Sequence, residues 1–539
     1  MKVFLTNKRK EIFNLGLFAL SLIPIILYFF VIYHRINLPF DLEWGEGAGI
    51  NQIYRMLSGE KLYGEPTIKF APLVYTPFYY WLSSALGGIF KQVTLAARLL
   101  SVLASLGAAG IIAWLVITET DNRLAGWLAS VVYLACFALS DGFYDLVRVD
   151  SLYVFFLLVS FLLLRLRSKP AALAAGLCIS LGFFTKQSTL IVFLPLMAYL
   201  LSKSWNTAWP LLPAVVLGVI LPFYWIDTRT GGWFTYYILR LPQEHGFSLI
   251  SAIDFWIGDL MGPLGIALGF GLFYMVFQLS GKFTRKKSEL ERDQGDLRMK
   301  SRAELSQHQV LIYLLFAVGA IGSAWTTRAI NGGGANNAMS SYAAVAIFFG
   351  LSYGFVDDLV KNAAKQEDIY RSIFFGLVAI QLVGLIYNPF NFIPTAGEVE
   401  ANRVLIARMK AVEGPIWIPY RSHLPRLAGK ETFIHAVNLF ELTGYFKGDV
   451  LPEGRKVIDQ IRKNMCSQSF GMIIIDQQIP WIGKQLESAY QVDDSISSVY
   501  EGRKSPVLSW QNGFDAVYVP RENYDPAKCL GIFEPEGEN

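Results

Sequence analysis

Apolar runs long enough to cross a membrane follow one another through the first 390 residues of the chain. The first run, Ile12 to Tyr33, comes directly after the basic segment Lys8-Arg9-Lys10. It covers about 20 residues, enough for one crossing of a hydrocarbon layer of about 30 Å and too long for the core of a signal peptide. The pattern predicts about eleven transmembrane helices, near residues 12–33, 94–117, 123–140, 151–166, 171–184, 188–202, 209–226, 255–279, 309–325, 339–356 and 372–389.

The apolar segment 73–90 is also long enough to cross, but the distribution of charge argues against it. A crossing there would put Arg165, Arg167, Lys169 and the basic loop 280–308 on the side opposite the N-terminal basic segment. Because basic residues concentrate in cytoplasmic loops, we predict instead a helix that lies along the outer membrane surface. The loop 280–308 is then expected to be a flexible charged linker on the inner side.

This topology predicts a multi-pass membrane protein with a cytoplasmic N-terminus. We expect the membrane to be a bacterial plasma membrane. The composition agrees, because 53% of the residues are hydrophobic and only 17% are charged, against roughly 25% charged in a soluble domain. The net charge of +4 is spread along the chain, so no nucleic-acid partner is expected. The outer side receives the loops 34–93, 141–150, 227–254 and 326–338, the turn 185–187, and everything after about residue 390.

The chain changes character after Pro389, where charged residues return at the density of a soluble protein. Segments 416–418 and 472–475 are typical of buried strands, and segments 398–412 and 454–464 are typical of helices. We therefore expect a transmembrane domain over 1–390 and a soluble extracytoplasmic α/β domain over 398–539. Cys466 and Cys529 could form a disulfide if this second domain faces an oxidising compartment.

The first outer loop contains an acidic motif, Asp41-Leu42-Glu43-Trp44-Gly45-Glu46-Gly47, and three carboxylates are dense for a chain so poor in charge. The residues after it predict an amphipathic interfacial helix that ends at Gly59 and begins beside Glu46. A carboxylate at a helix N-terminus is stabilised in its ionised form, as a general base requires. Two other interpretations stay open: a capped surface helix, and a divalent-metal site at Asp41-x-Glu43.

Four cations and one further carboxylate are also expected near the outer face. Arg148 and Asp150 stand where the fourth helix begins, and either line a cavity or fix the depth of that helix. Lys186, Arg240 and Arg328 run against the positive-inside bias, which an anionic ligand such as a lipid phosphate would explain. The run 332–334 consists of three glycines and follows shortly after Arg328. Its backbone could expose N–H groups to such an anion. Anchoring to lipid headgroups is the alternative for each cation.

The order of these features resembles the GT-C superfamily of membrane glycosyltransferases, which includes the protein O-mannosyltransferases and the aminoarabinose lipid A transferases. The likeness covers about the first 200 residues by motif and the other helices by topology. The matching segments are, in order, Glu43-Trp44-Gly45-Glu46-Gly47, the aromatic and proline-containing segment 71–81, Ala97-Arg98-Leu99-Leu100-Ser101, Arg148-x-Asp150 and Gly182-Phe183-Phe184-Thr185-Lys186-Gln187.

The resemblance implies transfer of a sugar from a polyprenyl-phosphate-linked donor to an acceptor hydroxyl, with an acidic base in the first outer loop. Family members often carry an Asp-Glu pair there, which this chain lacks. Counting back from Gly59, we prefer Glu46 as the base, then Glu43, then Asp41. Direct displacement at the sugar C1 predicts inversion of the anomeric configuration. The expected donor-phosphate contacts are Lys186, Arg240 and Arg328, and the expected sugar or cavity lining is Arg148, Asp150 and Tyr75.

The sequence is also compatible with other functions. The chain could be an oligosaccharide ligase or polymerase that uses a lipid pyrophosphate donor, a lipid or solute transporter, or a non-catalytic scaffold that presents the C-terminal domain. Family members differ in metal dependence, so a divalent metal is possible and no other cofactor is expected. The acceptor could be a lipid, a protein or a glycan. The C-terminal domain could help to bind that acceptor or simply cover the site.

Overall fold

A computed structural model describes residues 2–280, 306–361, 367–445, 447–448, 450–476, 479–493 and 516–531. Helices dominate the first 390 residues, and a small sheet lies in the C-terminal region. The charged loop expected at 280–308 falls outside these residues except at its two ends.

Each apolar run of the sequence forms a helix. Eight helices of the described chain are long and apolar enough to cross a membrane, and the chain is an integral membrane protein. Three others, Asp150–Arg165, Lys169–Thr185 and Thr189–Lys203, have 16, 17 and 15 residues. The remaining long helices are Lys2–Arg35, Val93–Thr120, Arg123–Ala135, Leu211–Thr230, Gly262–Leu279, Gln307–Arg328, Met339–Lys361 and Glu367–Gly384.

Short helical turns continue or connect these helices. The turn before Gly262–Leu279 continues directly into it, so that the whole segment from Leu249 to Leu279 is long enough to cross. The turns are Ala138–Ser140, Trp205–Ala208, Trp233–Thr235, Tyr236–Arg240, Leu241–Glu244, Leu249–Asp254, Phe255–Met261, Ala335–Ala338 and Pro389–Asn391.

The first outer loop forms two short helices, as the sequence predicts. Helix Glu46–Leu57 buries Ile50 and Ile53, and Gly59 ends it with φ +74°, the left-handed conformation that glycine adopts at low cost. Helix Phe78–Phe90 has 13 residues and is therefore about 20 Å long, too short to cross a hydrocarbon layer of about 30 Å. This length agrees with an interfacial position for the segment 73–90.

Four short strands form a mixed sheet in the C-terminal region: β1 Ile416–Trp417, β2 Met472–Ile475, β3 Tyr490–Val492 and β4 Ala516–Pro520. Their order is β1-β2-β4-β3; β1 is parallel to β2 and the other pairs are antiparallel. A disulfide joins Cys466 to Cys529. The surrounding helices are Ala396–Ala411, Pro419–Arg421, Leu424–Leu427, Ala436–Leu442, Pro452–Cys466, Gly483–Ala489 and Pro526–Gly531.

One apolar cluster connects the first outer loop to the C-terminal region. Ile50 and Tyr79 of the interfacial helices belong to the same buried cluster as Trp417, Leu439 and Ile458. Burial of these apolar side chains holds the first outer loop and the C-terminal region together. The packing brings the C-terminal region over the acidic motif.

Candidate active site

A cavity of about 480 Å³ lies where the first outer loop, the loop before helix Asp150–Arg165, the glycine run and the C-terminal region meet. A concave site of this size with a few polar groups is the usual form of a small-molecule site. Its lining residues are Glu43, Trp44, Leu73, Tyr75, Asp141, Phe143, Arg148, His245, Gly332–Asn337, Tyr420, Val437, Phe440, Glu441 and Tyr445.

Glu43 and Arg148 face each other in this cavity. The Glu43 carboxylate is buried, and its Oε2 lies 3.8 Å from Arg148 Nη1. The Gly45 amide is near, but no donor of the described residues makes a well-formed hydrogen bond to either carboxylate oxygen. Nε and Nη1 of Arg148 likewise lack an acceptor there. A buried cation and a buried anion with unused hydrogen-bonding capacity can bind a polar ligand.

Burial raises the pKa of Glu43 above its usual value, and the Arg148 guanidinium only partly offsets this. A raised pKa brings a carboxylate closer to the range in which a general base is most effective. Gly45 makes the arrangement possible, because a Cβ at this position would overlap the Arg148 guanidinium.

Glu46, the carboxylate that the sequence favours as base, has different surroundings. It is fully buried, and Arg98 donates to both of its oxygens, at 2.9 and 2.8 Å. The backbone amides of Leu42 and Val147 donate to the same oxygens at 2.7 and 3.0 Å. Burial alone would raise the pKa of Glu46, but Arg98 and these hydrogen bonds outweigh it and hold the pKa below its usual value. Glu46 is an ionised carboxylate that ties the first outer loop to the residue before Arg148.

Arg98 is a residue whose role the sequence analysis missed. Its guanidinium also donates to the backbone carbonyls of Arg35, Leu38 and Phe40, so it anchors the chain that leads into the acidic motif. The available signal was an arginine at the start of an apolar helix, where a buried charge requires a partner.

Asp41 is buried behind the cavity wall. Burial, followed by the Glu46 carboxylate, raises its pKa to about 8, while Arg421 and Arg98 partly offset the rise. Asp41 is therefore mostly neutral at pH 7. Asp41 and Glu43 each lie near an arginine, and the described residues contain no group of three or more His, Cys, Asp or Glu side chains that could hold a metal ion. The residues present therefore do not fit a divalent-metal site.

Asp150 and Lys186 form an ion pair directly behind another part of the wall. The Lys186 ammonium donates to Asp150 Oδ1 at 2.8 Å and to Asn337 Oδ1 at 2.9 Å, and Asn337 lines the cavity. The Tyr75 ring lines the cavity too, with its centre 6.0 Å from both Lys186 Nζ and the Arg148 guanidinium carbon. Four of the predicted residues thus lie near Glu43. Tyr75 and Arg148 line the cavity, and Lys186 and Asp150 lie directly behind its wall.

Arg328 and Arg240 lie elsewhere and do not belong to the lining of this cavity in the described chain. Arg328 forms ion pairs with Asp259 at 2.9 Å and Asp254 at 3.2 Å, and it donates to the Gly333 carbonyl at 2.9 Å. Its guanidinium therefore holds the glycine run that lines the cavity. Arg240 is exposed at the end of the turn Tyr236–Arg240.

The C-terminal region supplies a part of the site that the sequence analysis did not identify. Glu441 lines the cavity and forms an ion pair of 2.7 Å with His245 Nε2, from the loop before helix Leu249–Asp254. His245 Nδ1 lies 3.2 Å from the Asn331 carbonyl, which only accepts hydrogen bonds. Phe440 and Tyr445 line the cavity beside Glu441. Short-range sequence patterns carry no signal for this contact.

These elements form the fold of the solved ArnT structures, so the predicted resemblance is confirmed at the level of the fold. ArnT from Cupriavidus metallidurans bound to undecaprenyl phosphate matches with a TM-score of 0.52 and 12% identity, over 94% of this chain and 98% of that one. ArnT in the apo state matches with a TM-score of 0.52 and 14% identity, over 92% of this chain and 97% of that one. A third match is the oligosaccharyltransferase AglB from Archaeoglobus fulgidus, in complex with an inhibitory peptide and a dolichol-phosphate. Its TM-score is 0.46 and its identity 13%, over 87% of this chain and 70% of that one. No protein-family model and no curated protein sequence matches the chain.

Proposed function

We propose that this protein is an inverting glycosyltransferase that moves a sugar from a polyprenyl-phosphate-linked donor to an acceptor hydroxyl at the outer membrane face. The observation that carries the proposal is the Glu43–Arg148 pair, which faces the cavity with hydrogen-bonding capacity left for a ligand. The GT-C fold supports the same reaction class.

Glu43 acts as the general base. It accepts the proton of the acceptor hydroxyl while the hydroxyl oxygen attacks the sugar C1, a contribution of typically 10²–10⁴-fold in rate. The bond from C1 to the phosphate oxygen breaks at the same time, and its electron pair leaves with the polyprenyl phosphate. One displacement on the face opposite the leaving group inverts the configuration.

Arg148 stabilises the departing phosphate, because it lines the cavity and its Nε and Nη1 have no acceptor among the described residues. Lys186 lies behind Asn337, where Asp150 offsets part of its charge, and the Tyr75 ring centre is 6.0 Å from both cations. Arg328 supports the glycine run, and the phosphate role of Arg240 stays a prediction. The ArnT structure contains undecaprenyl phosphate, the kind of lipid that remains when such a donor has lost its sugar.

The outer membrane face is the side that we infer for this chemistry. The basic segments then lie in the cytoplasm, as the positive-inside bias requires. The Cys466–Cys529 disulfide supports the same orientation, because such bonds persist in oxidising compartments such as the periplasm.

The test uses the full-length protein in lipid nanodiscs with radiolabelled polyprenyl-phosphate hexoses and pentoses. We expect donor consumption by the wild type, a loss of about 10²–10⁴-fold in Glu43→Gln, and an unchanged rate in Glu431→Gln, whose carboxylate is exposed and pairs with Lys69. Full activity of Glu43→Gln would remove Glu43 as the base. Consumption of only a lipid pyrophosphate donor would favour the ligase alternative, and movement of the intact donor across the bilayer would favour a transporter.

A further inference from the structure

Two aromatic rings of the C-terminal region, Phe440 and Tyr445, line the cavity, and Trp481 packs against both of them. The rings of Phe440 and Tyr445 stack with centres 4.8 Å apart and planes 28° from parallel. Trp481 packs edge-on against Tyr445, with ring centres 5.9 Å apart and an interplanar angle of 86°. Tyr445 is 51% exposed although it lines the cavity, so part of its ring is accessible to a ligand. We call these three residues the aromatic shelf.

A fixed polar pair adjoins this shelf. Glu441 follows Phe440 in helix Ala436–Leu442, and its carboxylate meets His245 Nε2 at 2.7 Å. Both side chains line the cavity, and the hydrogen bond to the Asn331 carbonyl orients the imidazole from its other side. The pair is only 10% exposed on each side chain, so its geometry is held by packing. An ionised carboxylate has several lone pairs and can accept from a ligand hydroxyl while it holds His245.

This combination matches the chemistry of a sugar ring. A pyranose has an apolar face of C–H groups, which packs on an aromatic ring, and a rim of hydroxyls, which donate to carboxylates such as that of Glu441. Both ring nitrogens of His245 are already bonded, so His245 positions this carboxylate. A lipid chain would make no use of Glu441 and His245. The buried Glu441–His245 pair instead suits a ligand that is rigid, uncharged and rich in hydrogen-bond donors.

We propose that the aromatic shelf, with Glu441 and His245, is the acceptor subsite and that the acceptor is a neutral glycan. The inference rests on the proposed function, since the hydroxyl that Glu43 deprotonates would belong to this glycan. The C-terminal region thereby determines acceptor class, while the first outer loop supplies the base.

Glycan binding is measured first, without any donor. Saturation-transfer difference NMR on the full-length protein in nanodiscs uses maltotriose, mannotriose and chitotriose as probes. We expect saturation of ring protons in at least one trisaccharide, about fivefold weaker in Tyr445→Ala and retained in Tyr445→Phe, because the ring and not the hydroxyl stacks. Tyr524→Ala is the matched control, since Tyr524 belongs to the C-terminal region but not to the cavity lining; it should bind like the wild type.

Transfer assays with a polyprenyl-phosphate sugar then compare acceptors. Tyr445→Ala and Glu441→Gln should raise KM for the glycan about fivefold or more, with a smaller effect on kcat. Absence of saturation in every trisaccharide, equal saturation in wild type and Tyr445→Ala, or use of a serine- and threonine-containing peptide in place of the glycan would overturn the subsite. Glycan binding without donor consumption would support the acceptor subsite and contradict the proposed function. Donor consumption without glycan binding would support the proposed function and contradict the subsite.

Discussion

Glu43 and Arg148 meet at 3.8 Å although a complete hairpin of membrane helices, Val93–Thr120 and Arg123–Ala135, separates their loops in the chain. The contact depends on Gly45, whose missing side chain leaves room for the guanidinium. It also depends on Glu46, which accepts from the Val147 amide directly before Arg148. The proposed base and the proposed cation for the leaving group are thus positioned by the same segment of the first outer loop.

Replacement of Arg148 by glutamine should reduce kcat by about 10²–10³-fold, the usual cost of losing one preorganised electrostatic partner of a transition state. It should also change the pH dependence. Arg148 lowers the pKa of Glu43, so its removal raises that pKa further. The acidic limb of the kcat/KM profile should therefore move to higher pH. Arg229→Gln, at an exposed position away from the base, should leave the limb in place. A limb that stays or moves to lower pH in Arg148→Gln would contradict the pairing.

The Arg98–Glu46 pair should be a determinant of stability. Both side chains are fully buried, so Arg98→Gln leaves the Glu46 charge without its partner, at a cost of about 3–5 kcal/mol. The additional change Glu46→Gln should recover part of that loss, because it removes the buried charge. Thermal unfolding in detergent measures all three variants. Losses in the two single variants that simply add in the double variant would show that the residues do not interact.

Asp41→Asn should stabilise the protein as the pH rises. The folded pKa of Asp41 is raised to about 8, so between about pH 4 and pH 8 the folded state keeps a proton that the unfolded state has lost. The wild type then loses up to about 1.4 kcal/mol per pH unit from this group, and the asparagine variant does not. Melting temperatures of the two proteins should diverge over this range and run parallel above it. If the two melting temperatures instead changed in parallel over the whole pH range, Asp41 would be ionised in the folded state.

The contact between His245 and Glu441 should weaken at alkaline pH. Burial lowers the pKa of His245, but the Glu441 carboxylate and the hydrogen bonds outweigh burial and raise it. The stabilisation is therefore complete below the unfolded value of about 6.5 and is lost as the pH rises through the higher folded value. Hydrogen exchange of helix Ala436–Leu442, corrected for intrinsic rates, should show protection that falls over this range.

His245→Gln is the control for that measurement, and its protection should be lower and independent of pH. The neighbouring ion pair of Lys447 with Glu244, at 3.0 Å, joins the same two segments in both proteins. The same pH-dependent fall in the variant would assign the effect to another group.

Much of the architecture was predictable from local pattern. The membrane helices follow from the length of apolar runs, and helix Glu46–Leu57 follows from apolar residues three and four positions apart. The C-terminal helices Ala396–Ala411 and Pro452–Cys466 lie within two residues of their predicted bounds. These signals are local, because each depends on residues within a few turns of one another.

The choice among the three carboxylates was not predictable in this way. Asp41, Glu43 and Glu46 stand within six residues, yet one is neutral, one faces the cavity and one is bound by Arg98. Spacing from Gly59 gave no information about which partner each carboxylate meets. The outcome depends on contacts with Arg98, Arg148 and Val147, which belong to other segments of the chain.

By itself, therefore, the sequence determined where the helices lie, that the chain enters a membrane, and which loops carry polar groups. Hydrophobicity and its period are local properties that act before any long-range contact forms. Only the tertiary structure decided that Glu43 faces Arg148 and that Glu441 reaches His245. The direction and pKa of a buried side chain are determined by neighbours distant in sequence, and packing alone brings those neighbours together.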